Sequence, residues 1–502
     1  MKILFLSSPG KDLGNPSVGV AYITAMLNKN NHEAIIYDGD NKTTEDILNT
    51  VTRVKPDIVG ISMLTNARFA CLNVARRIKK QFNLPIIVGG PHATLMSKQL
   101  MENYPFLDYL VRGEGEYICL DLLNALEKEG DLNKIKGLSY RKEGKIIHNP
   151  SAKLIEDLDA LPFPEYKFFD LASYSKQPHY PKELLNYPVG CVTSSRGCPY
   201  NCTFCSSSNL WGRKIRFRNP KKVVDEIEEL YIKYNIRYIV FMDDHFTANR
   251  QRAIDICKLI IKRKLKIKWE CHSEVNVINK EILDWMKKAG CYLIAYGVED
   301  TSEEGLRFFK KAHNLEQLYN AFKLTKEAGI KTLSYFIIGG DHETKENIEL
   351  KKKAIKKLDP DITTASILVA FPGTELFERG KKNGWWNDDI FLTPCVGKKF
   401  YSGVPIYPPK NITLEQMFEE VAGFDYWWNK KKGGFSLRSK FPLILSLLKN
   451  RDFAKIFSMS KAVIKLNKNN LNHYLNNCFR TLSNIIMFIG ALFLLRKNKK
   501  NG

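Results

Sequence analysis

The sequence lacks a hydrophobic run that could span a lipid bilayer. The two apolar segments near its carboxyl terminus, residues 441–448 and 485–495, fall short of the roughly 18 to 20 residues that a membrane-spanning helix needs. The first six residues form an apolar run of only strand length, and a loop with proline and glycine follows it instead of the apolar core of a signal peptide. We therefore expect a cytoplasmic protein.

Cysteine is scarce outside one short segment. The chain has 11 cysteines in 502 residues, and most of them stand singly within predicted strands and helices. This distribution differs from the dense spacing of disulfide-stabilised secreted domains. It argues against a disulfide framework and indicates a reducing compartment.

Acidic residues are almost absent from residues 430–502. This tail holds sixteen lysines and arginines but a single acid, Asp452, so it carries +15 of the net charge of +23. The rest of the chain carries only +8. A basic partner-binding surface is therefore expected in the tail and not in the body of the protein.

The first 130 residues lack the Gly-x-Gly-x-x-Gly motif that follows the first strand of a dinucleotide-binding sheet. Short apolar runs of strand length alternate there with amphipathic stretches. The predicted strands are residues 3–6, 34–37, 58–62, 86–88 and 109–111. Five such units predict a doubly wound (flavodoxin/Rossmann-like) parallel sheet over residues 1–130, with its ligand at the carboxyl ends of the strands.

A connector is predicted over residues 131–187. Two short apolar runs flank Glu143-Gly144 and indicate a hairpin. Prolines 162 and 164 then favour an extended strap, because proline fits neither a helix interior nor a central strand.

The alternation of strands and helices resumes over residues 188–410. The predicted strands are residues 189–193, 238–242, 268–272, 292–296, 332–338 and 363–368. Six units predict a partial (β/α)6 barrel, whose site again lies at the carboxyl ends of the strands. The fold class is therefore α/β: an amino-terminal doubly wound parallel sheet, a partial barrel, and a helical, basic carboxyl-terminal region over residues 411–502.

Three cysteines, Cys198, Cys202 and Cys205, are packed into eight residues. Thiolates at this density bind zinc or iron, or else form disulfides. No further cysteine follows before Cys257, which argues against a tetrahedral zinc site. Three protein ligands on a [4Fe-4S] cluster would leave one iron open to a small molecule.

Residues 194–205, Ser-Ser-Arg-Gly-Cys-Pro-Tyr-Asn-Cys-Thr-Phe-Cys, resemble the signature motif of the radical S-adenosylmethionine (SAM) superfamily. The resemblance implies that Cys198, Cys202 and Cys205 are metal ligands and hold an oxygen-sensitive [4Fe-4S] cluster. It also implies that the cluster, reduced by a one-electron donor such as flavodoxin or ferredoxin, splits bound SAM into methionine and a 5′-deoxyadenosyl radical.

Residues 88–94 and 111–116 resemble loops of the cobalamin-binding domain that precedes many radical SAM cores. The resemblance implies a set of cobalamin-binding residues: Ser62, Gly89, Gly90, His92, Gly113 and Glu114. The Asp-x-His-x-x-Gly motif, whose histidine ligates cobalt in some cobalamin proteins, is absent, so no protein histidine is expected on the cobalt. His92 alone is more typical of a loop hydrogen bond than of a ligand, and a domain that binds nothing is the alternative.

Polar residues follow the predicted barrel strands. In the family such positions hold the amino, carboxylate and ribose groups of SAM, and Asp243 and Glu299 match them best. For each of them, a role as a helix N-cap or as a loop-fixing carboxylate is as typical as a role in binding SAM. The chain departs from the family at Glu274, where relatives commonly carry a carboxylate-binding arginine, and at residues 340–344, where they carry Leu-Pro-Gly-Glu-Thr. The second departure is expected to reshape the floor of the substrate pocket.

The resemblance implies an enzyme, with cobalamin-dependent transfer of a methyl group to an unactivated carbon as the leading function. Rearrangement, cyclisation or oxidation on the same scaffold, without methyl transfer, is the alternative. A tRNA methylthiotransferase is disfavoured, because such relatives carry three further cysteines in an amino-terminal domain that here has only Cys71 and Cys119. A cobalamin sensor would leave the cysteine motif without a purpose. The expected substrate is a small or lipid-like molecule, nucleic acid is not expected as a partner, and no catalytic residue is identified.

The basic tail also predicts an anionic membrane surface as a partner. Lysine and arginine flank both of its apolar segments, as Lys440 and Lys449 do around the first. A basic residue near an anionic leaflet contributes about 1 kcal/mol, so the tail would hold the protein at the inner face of the membrane as a peripheral protein. The alternative is a helical cap on the barrel with a solvated basic face.

Overall fold

The computed structural model describes residues 1–7, 14–39, 42–176, 180–184, 187–393, 400–401 and 403–431. The predicted membrane-facing segments of the tail lie outside the described residues, and their helical structure stays a prediction. Among the described residues, no helix combines the length and the apolar composition that crossing a membrane requires.

The amino-terminal sheet has seven strands in the order β2-β1-β3-β4-β5-β6-β7. They are β1 (Lys2–Ser7), β2 (Glu33–Asp38), β3 (Ile58–Ser62), β4 (Ile86–Gly89), β5 (Tyr109–Val111), β6 (Leu138–Lys142) and β7 (Lys145–His148). The first five run parallel and correspond to the five predicted strands. Their helices are α1 (Val18–Lys29), α2 (Thr44–Val54), α3 (Arg68–Phe82), α4 (Pro91–Leu95), α5 (Ser97–Asn103) and α6 (Gly115–Glu127).

The predicted hairpin forms around Glu143-Gly144, and its two antiparallel strands extend this first sheet. Leu138 of β6 pairs with Val111 of β5, and Leu138 and Tyr140 are buried. The sheet therefore continues into the segment that the sequence assigns to the connector, because the apolar face of the hairpin is buried by joining the edge strand.

The second sheet has six parallel strands in the order β15-β14-β13-β12-β11-β8. They are β8 (Val189–Val192), β11 (Tyr238–Phe241), β12 (Lys268–Ser273), β13 (Cys291–Glu299), β14 (Lys331–Ile338) and β15 (Ile362–Ile367). Two short antiparallel pairs stand beside it: β9 (Ser195–Arg196) with β10 (Arg216–Phe217), and β16 (Phe400–Tyr401) with β17 (Val404–Pro405). Within the described part of the chain β8 and β15 are the two edges and do not pair, so the barrel is open, as predicted.

The helices of the barrel are α7 (Ser207–Trp211), α8 (Pro220–Lys233), α9 (Arg250–Lys262), α10 (Lys280–Lys288), α11 (Glu303–Phe309), α12 (Leu315–Glu327), α13 (Lys345–Leu358) and α14 (Glu375–Lys382). Short polar side chains begin most of them by accepting a backbone N–H of the first turn. These N-caps include Asn219, Asn249, Asn279, Ser302, Asn314, Thr344 and Thr374. Asp243 and Glu299 are not among the helix caps, which removes that interpretation for both.

Strand β13 is longer than the sequence indicates. Its pairing with β14 shifts register between Gly297 and Glu299, and Glu299 has a left-handed backbone with φ of 59°. The expectation that residues 297–299 follow the strand is wrong, because Gly297 and Glu299 still pair with Tyr335 and Phe336 of β14, with Val298 as the extra residue between them. Helix α11, which the sequence does not predict, begins shortly afterwards at Glu303.

The last described helix, α15 (Leu414–Lys431), packs on β15. Trp428 is buried, and its Nε1 donates to the carbonyl oxygen of Pro360 at 2.8 Å. Phe424 contacts Phe336 with ring centroids 5.3 Å apart. The start of the carboxyl-terminal region is thus a helix that covers the barrel edge.

Candidate cofactor site

The three clustered cysteines lie in the loop after β8, at the carboxyl edge of the barrel sheet. Cys205 is exposed and Cys198 and Cys202 are half-buried, whereas the other six described cysteines are buried and all nine are free thiols. The motif cysteines are therefore the described thiols that a metal cluster can reach. Burial raises the pKa of Cys198 to about 11 and that of Cys202 to about 12, so both must lose a proton when iron binds.

Backbone and ring contacts hold this loop in place. The N–H of Thr203 donates to the carbonyl of Phe309 at 3.3 Å, and the N–H of Leu376 donates to the carbonyl of Thr203 at 3.1 Å. Phe204 packs edge-on against Phe309, with centroids 5.5 Å apart. The loop is thus tied to the end of α11 and the start of α14, which suits a rigid ligand set.

Asp243 fixes the segment that leads into the loop. Its Oδ1 accepts the N–H of Ser194 at 2.6 Å, and its Oδ2 accepts the hydroxyl groups of Ser194, at 2.6 Å, and of Ser195. Arg252 holds the same segment through the carbonyl of Ser194. Because its carboxylate is buried and occupied by these donors, Asp243 stands behind the cysteine loop rather than open toward a ligand.

A buried cluster of charges lies beside Cys202. Lys311 Nζ is 2.7 Å from Oε1 of Glu274, and His313 Nδ1 is 3.5 Å from its Oε2. Burial raises the pKa of Glu299 to about 7; Lys311 opposes this rise and Glu274 adds to it. Burial alone would lower the pKa of Lys311, but Glu274, Glu299 and Cys202 raise it above its usual value. Lys311 is therefore a permanent cation next to the cysteine loop.

No sequence pattern distinguishes Lys311 from its neighbour Lys310. The two lysines follow α11, and only the fold gives them different environments. Lys310 ends α11 in a left-handed conformation with φ of 54°, and the N–H of Lys311 donates to the carbonyl of Leu306 at 2.9 Å. This turn sends Lys311 inward and leaves Lys310 exposed. Lys311 therefore supplies a cation beside Glu274, the position at which the family resemblance implies an arginine.

The turn at residues 340–344 belongs to a second buried ion network. Asp300, His342 and Glu343 converge as three candidate metal ligands. Lys351 Nζ already lies between the carboxylates, 2.8 Å from Asp300 and 2.5 Å from Glu343. His342 Nε2 is 2.9 Å from Asp300. The ammonium group takes the place that a metal ion would need, so this network is structural and fixes the turn after β14.

Four of the six predicted cobalamin residues share one edge of the first sheet. Ser62 pairs with Gly89 at the ends of β3 and β4. Gly90 has φ of 90°, and a Cβ there would lie 3.0 Å from the backbone nitrogen of Met63, so glycine is required. Gly113 also has positive φ, and a Cβ built on it meets no atom of the described residues within 4 Å, so the described part of the chain leaves space for a ligand there.

The other two predicted cobalamin residues point away from that edge. His92 is buried, its Nδ1 lies 3.2 Å from the hydroxyl of Thr65, and burial lowers its pKa to about 3 with Arg68 adding to the shift. Glu114 is buried, and its two carboxylate oxygens lie 2.7 Å from Arg196 and 2.7 Å from Arg216. The geometry of His92 matches the loop hydrogen bond, the role of which a lone histidine in such a loop is more typical.

Ser62, Gly89, Gly90 and Gly113 form what we call the glycine edge, and the segment from Cys198 to Cys205 is the cysteine loop. The two lie close together. Helix α4, which follows Gly90, lies against α7, which follows Cys205. Leu95 of α4 also approaches the barrel, since a Cβ on Gly373 would come within 2.7 Å of its Cδ2. The carboxyl edges of the two sheets therefore border one shared region.

Comparisons with known proteins agree with this arrangement. Residues 13–123 match the B12 binding domain family, and residues 192–354 match the radical SAM superfamily. The chain is 35% identical over 427 residues, 83% of its length and 90% of the relative's, to an uncharacterized methyltransferase of Pyrococcus horikoshii. It is 31% identical over 396 residues, 75% of its length and 70% of the relative's, to an anaerobic magnesium-protoporphyrin IX monomethyl ester cyclase of Rubrivivax gelatinosus.

Solved structures share the fold. One is the cobalamin-dependent SAM radical enzyme OxsB with aqua-cobalamin and SAM bound. Its match spans 96% of this chain and 75% of the OxsB chain, with a TM-score of 0.66 and 20% identity. The match to the radical SAM methyltransferase TsrM of Kitasatospora setae spans 75% of this chain and 76% of the TsrM chain, with a TM-score of 0.65 and 20% identity. From these matches together, the chain belongs to the cobalamin-dependent radical SAM enzyme family, whose cofactors are a [4Fe-4S] cluster, SAM and cobalamin.

Proposed function

We propose that the protein is a methyltransferase that adds a methyl group to an unactivated carbon of a small or lipid-like molecule. The observation that carries the proposal is the apposition of the open glycine edge, through α4, to the accessible cysteine loop, through α7. When bound, the cluster supplies one-electron cleavage of SAM and cobalamin supplies a transferable methyl group. The protein's part is then to place both beside one substrate carbon and to exclude water.

Named residues are proposed for each cofactor. Cys198, Cys202 and Cys205 would hold the cluster, and the electron would come from flavodoxin or ferredoxin in the cytoplasm. Lys311 would bind the carboxylate of SAM and Glu299 its ammonium group, because they are a buried cation and a buried acid beside Cys202. Ser62, Gly89, Gly90 and Gly113 would contact cobalamin, with His92 and Glu114 supporting their loops from behind.

Anaerobic turnover with a lysate of the source cell, followed by mass spectrometry, tests the proposal. A product that gains one methyl group, together with 5′-deoxyadenosine, is expected. The similarity to the cyclase of R. gelatinosus favours cyclisation as the second candidate. Formation of 5′-deoxyadenosine and a changed product without a methyl gain would contradict methyl transfer and favour that second reaction.

Cobalamin should bind without a histidine on its cobalt. His92 is enclosed by Thr65 and Phe391 and cannot reach the glycine edge without losing these contacts. The His92→Ala variant should therefore bind cobalamin with an unchanged visible spectrum, although its affinity should fall as the loop loosens. The spectrum of reconstituted protein is the measurement, with His32→Ala as control. A changed cobalt spectrum in His92→Ala alone would refute this prediction.

The affinity for SAM should rise with pH through neutrality. Glu299 has its pKa raised to about 7, so its carboxyl is mostly protonated at pH 6 and mostly ionised at pH 7.5. A cationic ammonium group prefers the ionised form, so the dissociation constant should fall about fivefold over this range. The α-amino group of SAM, whose ordinary pKa is about 7.7 to 8.0, begins to lose its proton near pH 7.5 and limits the gain. Calorimetry with the wild type and with Glu299→Gln checks this. An equal pH dependence in both proteins would contradict the role given to Glu299.

We further propose that the basic tail docks the enzyme on an anionic membrane surface at the inner face of the membrane. The support is its charge of +15 and its two short apolar segments, which lie outside the described residues. Truncation after Lys431, which keeps α15, should leave iron content intact and abolish sedimentation with anionic vesicles at low salt. Neutral vesicles are the control. Full-length protein that fails to bind anionic vesicles, or a truncation that unfolds the barrel, would favour the helical cap instead.

A further inference from the structure

A buried group of four charges joins the two halves of the molecule. Arg196 Nη1 is 2.7 Å from Glu114 Oε1, and Arg196 Nη2 is 2.6 Å from Glu116 Oε1. Arg216 Nη1 is 2.7 Å from the other oxygen of Glu114. The N–H of Ile155 also donates to that oxygen, at 2.6 Å. Two cations meet two anions, so the group, here called the clamp, is electrically balanced.

The clamp residues stand close in the chain to the two segments that are proposed to bind cofactors. Glu114 and Glu116 stand in the loop after β5 and the first turn of α6, directly after Gly113 of the glycine edge. Arg196 lies two residues before Cys198, and it pairs with Arg216 across β9 and β10. Glu114, Glu116 and Arg196 are thus direct neighbours of segments that are proposed to hold a cofactor, and the strand pair ties Arg216 to Arg196.

The clamp has little freedom to move. All four side chains are buried, and the guanidinium of Arg196 also lies over the ring of Tyr22 at 5.3 Å. A forked guanidinium that meets two carboxylates fixes direction as well as distance. Asp243 and Arg252 of the barrel also hydrogen-bond to the backbone of Ser194. The segment before Cys198 is thus fixed by the barrel at Ser194 and by the amino-terminal half at Arg196.

We infer that Glu114, Glu116 and Arg196 are positioning residues that set the placement of the cobalamin edge relative to the cysteine loop. The inference rests on the proposed function, since only a reaction that needs both cofactors at one carbon requires that placement. A misplacement of about 1 Å can cost a factor of about 100 in rate, so a rigid link between the two loops serves such a reaction. Glu114 thereby acts on cobalamin through the loop that it anchors.

The distance between the two cofactors tests the inference without a known substrate. Holoenzyme is loaded with hydroxocobalamin, reduced to cob(II)alamin and the one-electron-reduced cluster, and studied by pulsed electron paramagnetic resonance. Glu116→Gln, which removes one carboxylate charge at constant size, should shift the interspin distance by about 1 Å or broaden its distribution. Arg196→Lys should do the same, because a point charge cannot span both carboxylates. Iron content should stay at the wild-type level.

Asp108→Asn is the matched control. Asp108 pairs with Lys79 at 2.9 Å and accepts the N–H of Ile86, so its loss weakens the first sheet at the amino end of β4, away from the clamp. This variant should keep the wild-type distance distribution. Wild-type distributions in both Glu116→Gln and Arg196→Lys would overturn the inference, and so would an equal change in Asp108→Asn.

A second measurement separates the clamp from the proposed function. Wild-type protein that holds iron but binds no cobalamin would contradict the proposed function only. Hydrogen–deuterium exchange then measures the clamp directly. Arg196→Lys should raise exchange in residues 113–116 and 194–198 together, which supports the link, whereas a rise confined to residues 194–198 would overturn it.

Discussion

Replacing Cys202 by alanine is expected to abolish iron binding and the formation of 5′-deoxyadenosine. Wild-type protein purified without oxygen should hold about four irons per chain, because three thiolates and one open iron complete a cluster of this type. Cys202 lies between two fixed points, the half-buried Cys198 and the anchored Thr203. No other described thiol can move into its place, since the six that lie outside the motif are buried elsewhere.

Cys257→Ala is the control for this experiment. Cys257 is a buried thiol of α9, so the change removes one thiol and a small amount of core volume but leaves the loop intact. Iron content and the yield of 5′-deoxyadenosine should stay near the wild-type values. A Cys202→Ala variant with full activity would falsify the assignment of the protein to cluster chemistry through this motif.

The sequence predicts the strands well because burial leaves a direct mark on it. Parallel strands covered on both faces read as short apolar runs, and both sheets appear in the structure where such runs stand. The end of β13 cannot be predicted in this way. Its register shift at Gly297 places Glu299 in a left-handed conformation, and no apolar pattern marks such an irregularity.

Side-chain roles were less predictable than strands because they depend on partners far away in the sequence. Glu114 stands in a loop whose sequence resembles cobalamin-binding loops, yet its carboxylate meets Arg196 and Arg216 from the barrel. His92 is likewise turned toward Thr65. The residue types showed that the loops were unusual, but only the fold showed which side chains face the open edge.

Lys311 is another residue whose role depends on partners far away in the sequence, and its replacement is expected to have a large effect on SAM binding. Replacing Lys311 by methionine is expected to weaken SAM binding about 30-fold or more, because removing one partner of a buried charge pair costs about 2 kcal/mol or more. Glu274, whose side chain is 16% exposed, and the buried Glu299 would both lose this cation. Isothermal titration with SAM, on protein with full iron content, is the measurement.

Lys310→Met provides a matched control one residue away. Lys310 is exposed and pairs with Glu375 at the surface, an interaction worth about 0 to 1 kcal/mol, so SAM binding should stay close to wild type. In Lys311→Met the pKa of Glu299 should rise further, because its main opposing cation is gone. The increase of SAM affinity with pH should therefore move to higher pH in this variant. Equal SAM affinity in Lys310→Met and Lys311→Met would show that the buried cation does not hold the carboxylate of SAM.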